Sequence, residues 1–189
     1  MSLYIESETF TRQDYTSDAL ALGEYDNCIF ANCDFSGSDL TGMNFAECQF
    51  RDCNLSSARL DQVSFRKVAF KNCKMMGLHF ENCNPFLLEL DFENCLLNHS
   101  SFFKLKLKKT RFVNCNLQEI DFTGCDQGQA LLDQCDLNRA VFEDTTLEKA
   151  DLRTSFNYTI DPEINRIRKA KFSINGVAGL LYKYDIDLE

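Results

Sequence analysis

A large apolar residue falls at every fifth place over most of this chain. Starting at Phe10, steps of five reach Tyr15, Leu20, Tyr25, Phe30, Phe35, Leu40, Phe45, Phe50, Leu55, Leu60, Phe65, Phe70, Met75 and Phe80 without a polar residue. The ladder fails at Pro85, resumes two places out of step at Leu87, and runs through Phe92, Leu97, Phe102, Leu107, Phe112, Leu117 and Phe122. Only Gln127 interrupts it before Leu132, Leu137, Phe142, Leu147 and Leu152. With 44% of the residues hydrophobic, composition alone does not produce such a run. Neither an α-helix, at 3.6 residues per turn, nor a flat strand, at two, has a period of five.

A period of twenty lies on top of the five. Phe10, Phe30, Phe50 and Phe70 repeat at that spacing, as do Cys33, Cys53 and Cys73, and later Cys95, Cys115 and Cys135. Four sides of five residues close one coil, and stacked coils place residues twenty apart about 4.8 Å from one another, the spacing of paired strands. The large residue then fills the centre of the coil. The residue two before it also faces inward, where only a small side chain fits. All ten cysteines occupy this place: Cys28, Cys33, Cys48, Cys53, Cys73, Cys83, Cys95, Cys115, Cys125 and Cys135. Their spacing contains no Cys-x-x-Cys and does not converge on a point, so they read as small interior hydrophobes and not as metal ligands. No cofactor is expected.

The fold class expected is all-β: a quadrilateral parallel β-helix with a short C-terminal helical cap. Residues 1–27 form an irregular first coil because they lack the small inward residues. Residues 28–82 form a first β-helix segment, 83–87 a register break at Pro85, 88–152 a second segment, and 153–189 a cap and dimerisation tail. In that tail Asn175 or Gly176 is expected to cap a short helix. Val177, Leu180, Leu181 and Tyr184 fall on one apolar face of it, and Ile186 and Leu188 alternate as a short strand. Gln127 is expected either to find a hydrogen-bond partner or to swing outward in a bulge at Gly128.

The formal charge is −9. Residues 1–83 and 84–152 each carry twelve acids and seven bases, whereas residues 153–189 carry five acids and six bases. An acidic rod repels nucleic acid and anionic membrane and attracts basic surfaces. The N-terminal stretch reads as neither a signal peptide nor a membrane anchor, and ten reduced thiols suit the cytoplasm. His79 and His99 sit beside ladder residues and should point outward. With no catalytic constellation readable, an enzyme is not expected.

The segments CDFSGSDL, CQFRDCNL, CNLQEIDF and AVFEDTTLEKADL resemble the pentapeptide-repeat family: a small residue, Asp or Asn, Leu or Phe, then two variable places. That resemblance spans residues 10–152 and implies a right-handed handedness for the coil. The tail, IDPEINRIRKAKF followed by GLLYKYDIDL, is similar to that of the quinolone-resistance (Qnr-type) members. This second likeness implies a tail-to-tail homodimer, with Val177, Leu180, Leu181, Tyr184 and Ile186 at its interface. It also implies a DNA-mimicking acidic surface that binds DNA gyrase and topoisomerase IV. Outward acids available for such binding are Glu47, Asp52, Asp61, Glu81, Glu93, Glu119, Asp133, Glu143, Asp144 and Glu148. The alternative is an interaction scaffold for another protein. Two features count against simple transfer. The run KLKLKKTRF gathers Lys104, Lys106, Lys108, Lys109 and Arg111, read as a solvated side, with a phosphate-binding patch as the other possibility. And the repeat lacks the long loops of some Qnr-type members. Two continuous acidic stripes would favour mimicry; a mixed surface would favour the scaffold.

Overall fold

Four short sides do close a square turn. The computed structural model describes residues 3–187 and is a right-handed quadrilateral β-helix. Its strands, in chain order, are β1 (Leu3–Glu6), β2 (Thr9–Thr11), β3 (Gly23–Asp26), β4 (Ile29–Ala31), β5 (Asn44–Ala46), β6 (Gln49–Arg51), β7 (Ser64–Arg66), β8 (Val68–Lys71), β9 (Leu90–Glu93), β10 (Arg111–Val113) and β11 (Leu131–Asp133). They form two parallel sheets on two sides of the rod, ordered β1-β3-β5-β7 and β2-β4-β6-β8-β9-β10-β11. Pairing follows the twenty-residue register, as in Phe30 opposite Phe50, until β8 pairs β9 as Phe70 opposite Phe92. The other two sides touch their neighbours through single bridges, such as Asp34 to Asn54 and Ser101 to Asp121. Among the described residues no helix is long and apolar enough to cross a membrane.

The interior is a set of columns. Phe10, Phe30, Phe50, Phe70, Phe92 and Phe112 stack ring on ring, with centroids 4.8 to 5.5 Å apart. Rings of neighbouring columns meet edge to face, as Phe102 does with Phe112 at 6.0 Å and 83°. Both geometries suit the ring quadrupole. All ten cysteines are free and buried. They are more than filler. The Cys53 thiol donates to the Phe30 carbonyl at 3.3 Å, and Cys73 to Phe50 at 3.4 Å. Ser100, Thr145 and Ser155 do the same with their hydroxyls toward Met75, Phe122 and Leu132. The small inward residue therefore gives a donor to a carbonyl of the coil below.

The corners carry a regularity the ladder does not announce. The residue two after almost every ladder position has positive φ, including Glu47, Asp52, Lys67, Asn94, Lys109, Glu119 and Lys149, and glycine serves at Gly37, Gly42, Gly77 and Gly124. Such a conformation costs a non-glycine residue about 1 kcal/mol or more. It turns the corner N–H along the rod axis, so that Asp52 donates to Lys71 O at 2.9 Å and Glu47 to Arg66 O at 2.8 Å. On one corner the side chains add a ladder of their own: Asn114 donates to Asn94, Asn94 to Asn72 and Asn72 to Asp52, at 2.8, 3.0 and 2.9 Å.

Several expectations are corrected. The break is a bulge in which seven residues, Cys83 to Glu89, cover the five-residue side built on β7: Asn84 N bonds Val63 O and Glu89 N bonds Phe65 O. Leu87 does not resume the ladder. It sits 61% exposed at a positive-φ corner, beside Phe86 at 69%, while Leu88 packs partly buried against the core and Leu90 is the next fully buried residue. The first coil is regular in its strands, where Leu3 to Glu6 pair in register with Gly23 to Asp26, and irregular on its third side, where Ser17 and Leu22 lack the positive-φ corners and Ala19 the bridge found in the next coil. Gly23 allows the strand pairing, because a Cβ there would lie 2.7 Å from Leu3 O. Gln127 points inward, fully buried, and neither its Oε1 nor its Nε2 has a partner within the protein. Neither the bulge nor the partner expected for it is present.

In the tail the turn Ile174–Gly176, the helix α1 (Ala178–Leu181) and the turn Tyr182–Tyr184 follow in succession. Ser173, not Asn175 or Gly176, caps the start, its Oγ accepting from Gly176 N at 3.0 Å. Gly179 presses its backbone against Tyr158, and Ile160 N bonds Gly179 O at 2.9 Å, which seals the last coil. Ile186 lies in irregular chain, and Leu188 falls outside the described residues.

Candidate interaction surface

Each side buries two of its five residues and turns three outward: the one before the ladder residue and the two after it. Every function of such a rod must be carried by these places. The seven-stranded face is the first; the second follows it and carries Asp34, Asn54 and Lys74. The third carries Asp39, Arg59 and His79, and the fourth is the face of β1, β3, β5 and β7.

None of the ten candidate acids is buried, and they are scattered over all four faces. On the first face Asp52 accepts from Asn72 at 2.9 Å, Glu93 pairs with Lys71 at 2.9 Å, and Asp133 accepts from Thr154 at 2.6 Å. On the second, Glu119 lies 3.3 Å from His99 and 3.6 Å from Arg139. On the third, Asp61 meets Arg59 at 3.3 Å and Glu81 meets His79 at 2.9 Å, while Glu143 and Asp144 have no ion pair among the described residues. On the fourth, Glu47 pairs with Lys67 at 2.9 Å, and Glu148 stands free of any described cation. His79 and His99 both point outward.

The third face is the most acidic. Asp39, Asp61, Glu81, Asp121, Glu143 and Asp144 share it with Arg59 and, at its corner, Lys104. The fourth face is divided. Its first coils show Glu6, Glu24, Asp26 and Glu47, with Arg66 bonded to Glu24 at 3.2 Å. Beyond the bulge it shows Lys106, Lys108, Lys109, Lys149, Arg166, Arg168 and Lys169 against only Asp126 and Glu148. Sequence reading found the first three of these and missed the other four. The twenty-residue column, applied to outward places, finds them: Lys106 is bridged through Asp126 and Thr146 to Arg166. The run Lys104 to Arg111 is itself dispersed, with Lys104 at the corner over the Phe103 ring and Arg111 on the first face.

The tail residues divide by depth. Leu180 packs against the core and Leu181 is half-buried, whereas Val177, Tyr184 and Ile186 are 39%, 51% and 52% exposed. Ile174 at 91% and Tyr182 at 54% extend this apolar surface. Lys183 pins the tail down, its Nζ lying 2.7 Å from both Asp161 and Glu163.

Comparison with known proteins agrees with this architecture. Residues 79–152 match the family model for a pentapeptide repeat region, and residues 28–66 match that for pentapeptide repeats in eight copies; together they span more than half of the chain. No curated protein matches in sequence. Among solved structures, HetL is similar at 14% identity and a TM-score of 0.60, over 91% of this chain and 84% of that one. It is a pentapeptide repeat protein involved in heterocyst differentiation regulation, from the cyanobacterium Nostoc sp. strain PCC 7120. A trypsin-treated form of QnrB1, a plasmid-mediated fluoroquinolone resistance protein, aligns over all of both chains at 21% identity and a TM-score of 0.48.

Proposed function

This chain belongs to the pentapeptide-repeat family, and on that premise we propose that it is a non-enzymatic rod that works by binding other proteins along its faces. One observation carries the reading: neighbouring faces hold opposite charge, the third acidic and the far half of the fourth basic. A uniform mimic of duplex DNA calls for carboxylates in unbroken rows, and the mixed surface favours a scaffold that meets more than one kind of partner face. The interior is filled by ladder residues and leaves the outward places free to vary, which suits a binding role better than catalysis. Ten reduced thiols fit a reducing compartment such as the cytoplasm.

A second reading has its own support. The six acids of the third face form the surface a type II topoisomerase would meet if the rod stood in for DNA, as the Qnr-like tail suggests. DNA gyrase supercoiling, measured with and without a quinolone while the protein is titrated in, separates the two. Salt-sensitive inhibition or drug protection supports the topoisomerase reading. Unchanged supercoiling and unchanged drug sensitivity at saturating protein reject it. The scaffold reading is tested by photo-crosslinkers placed in turn on the four faces in the native host. It expects one protein captured from one face and not from the others; adducts equal on all four faces, or none, overturn it.

A further inference from the structure

The cations of this protein are not treated alike. On the first three faces and the near half of the fourth, Arg59, Arg66, Lys67, Lys71, Arg139, Arg153 and Lys171 each lie within 4 Å of a carboxylate. On the far half of the fourth face, Lys108 alone has an acid, Asp126 at 3.2 Å. Lys106, Lys109, Lys149, Arg166, Arg168 and Lys169 have no ion pair among the described residues, and all six are exposed. Among the described residues five other cations lack an ion pair, Arg12, Arg51, Lys74, Lys104 and Arg111, but these are spread over the other three faces, whereas the six gather on one half-face of a protein of charge −9.

The stripe also has an end. Leu87, Lys109, Lys149 and Lys169 all occupy positive-φ corners of the same edge of the rod. Leu87 and Lys109 line one groove, together with Leu88, Lys108 and Arg111, and this end of it also carries Glu89 and Asp91. Exposed Phe86 and Leu87 therefore close the basic stripe at its bulge end. From the Leu87 coil to the Lys169 coil there are four coil spacings, about 19 Å, the length of roughly six extended residues.

We infer that this stripe binds a short acidic segment of a partner protein, carboxylates along the cations and an apolar residue against Phe86 and Leu87. The inference rests on the interaction-rod reading and names the partner class for one face of it. Three observations choose a peptide over nucleic acid. The stripe is short, about 19 Å, and the coil of Asp126 to Gln129 between its ends carries no cation to meet a phosphate. It is flanked by the acidic third face, where Asp121, Glu143 and Asp144 would meet any phosphates that overran it. And a phosphate backbone has no use for the apolar pair, whereas a peptide has side chains to place there.

The test is fluorescence anisotropy on the full-length protein, with a labelled oligoglutamate peptide ending in leucine as probe. The expected result is binding at low salt that weakens at least about tenfold on raising salt to physiological strength or beyond. The triple charge reversal Lys106→Glu, Lys109→Glu, Lys149→Glu should weaken it by a similar factor, and Phe86→Ser by a few-fold. These positions are exposed, and circular dichroism of the variants checks that the fold is kept. The same peptide with glutamine for glutamate should not bind. Equal binding by the triple variant overturns the inference, as does no binding of the probe at low salt. A duplex DNA probe bound more tightly than the peptide also overturns it and assigns the stripe to nucleic acid. A negative result here, with face-specific crosslinks elsewhere, removes this partner and leaves the rod's binding role standing.

Discussion

Gln127 replaces an apolar residue in the column of Leu107 and Leu147, and its amide is buried with no partner in the protein. A polar group so placed costs about 1–3 kcal/mol. Gln127→Leu should recover most of that, raising the thermal midpoint by several degrees. A midpoint that falls would mean that the amide is held by a bond the protein needs. The thiols set a second test. Burial pushes the Cys48 thiol up to about 12, and it raises Cys83 and Cys125 as well. A raised value means that the folded state keeps protons which the unfolded state releases above about 8.5. That contribution is whole below pH 8.5 and is lost as pH climbs toward 12, so the urea midpoint should fall steadily from pH 8.5 to 10. A flat profile would show the thiols to be reachable by water. At this scale the inward residues were legible in the sequence, because burial restricts size and polarity. The corners were not: Lys, Glu, Asn, Gln and Leu all adopt positive φ there, since closure of the square imposes it and no residue preference announces it.

Between residue and rod stands the five-residue side, and its rule shows best where it is broken. Seven residues over β7 cannot pair in register, so the four-stranded sheet stops there while the seven-stranded sheet continues through β9 with a register of twenty-two. The offset in the ladder located that break in the sequence, but not which residues would protrude. Leu87 kept the spacing of the ladder, and spacing alone cannot tell a corner from a centre. The tail obeys no such period, which is why Ser173 and not a later residue turned out to cap it. Its attachment depends on Lys183. Desolvation works against the ammonium, but the carboxylates of Asp161 and Glu163 outweigh it and hold its pKa above the usual lysine value. Lys183→Met keeps the length of the side chain and removes the charge from between two acids. Amide hydrogen exchange at Ile160 and Leu180 should then quicken by about tenfold or more, with the Phe50 and Phe112 coils unchanged. Uniform exchange across the rod would place the clamp's effect on global stability instead.

A stacked rod has two ends, and each must be covered by its own chain or by another. Here the C-terminal cap covers the last coil with Leu180 and leaves Ile174, Val177, Tyr182 and Ile186 to solvent. Charge decides where two such rods can meet. Residues 1–83 and 84–152 are each acidic on balance, whereas residues 153–189 have one more base than acids, so mutual repulsion is least at the tail. We propose a two-fold dimer joined tail to tail, since a self-complementary apolar patch at an end closes on a second copy without leaving an open chain of contacts. The columns of the sequence could not display this surface, because Val177, Leu180, Leu181 and Tyr184 share a face only in an ideal helix. In the short turns formed here, Leu180 goes to the core and Tyr184 to Glu163, which its hydroxyl reaches at 2.9 Å. Sedimentation equilibrium should give twice the chain mass of 21.8 kDa for the wild type and a single chain for Val177→Glu, with an unchanged circular dichroism spectrum. A wild-type monomer at concentrations of about 100 µM would reject the dimer. It would then leave the tail's apolar residues to the same partners that the faces of a lone rod must find.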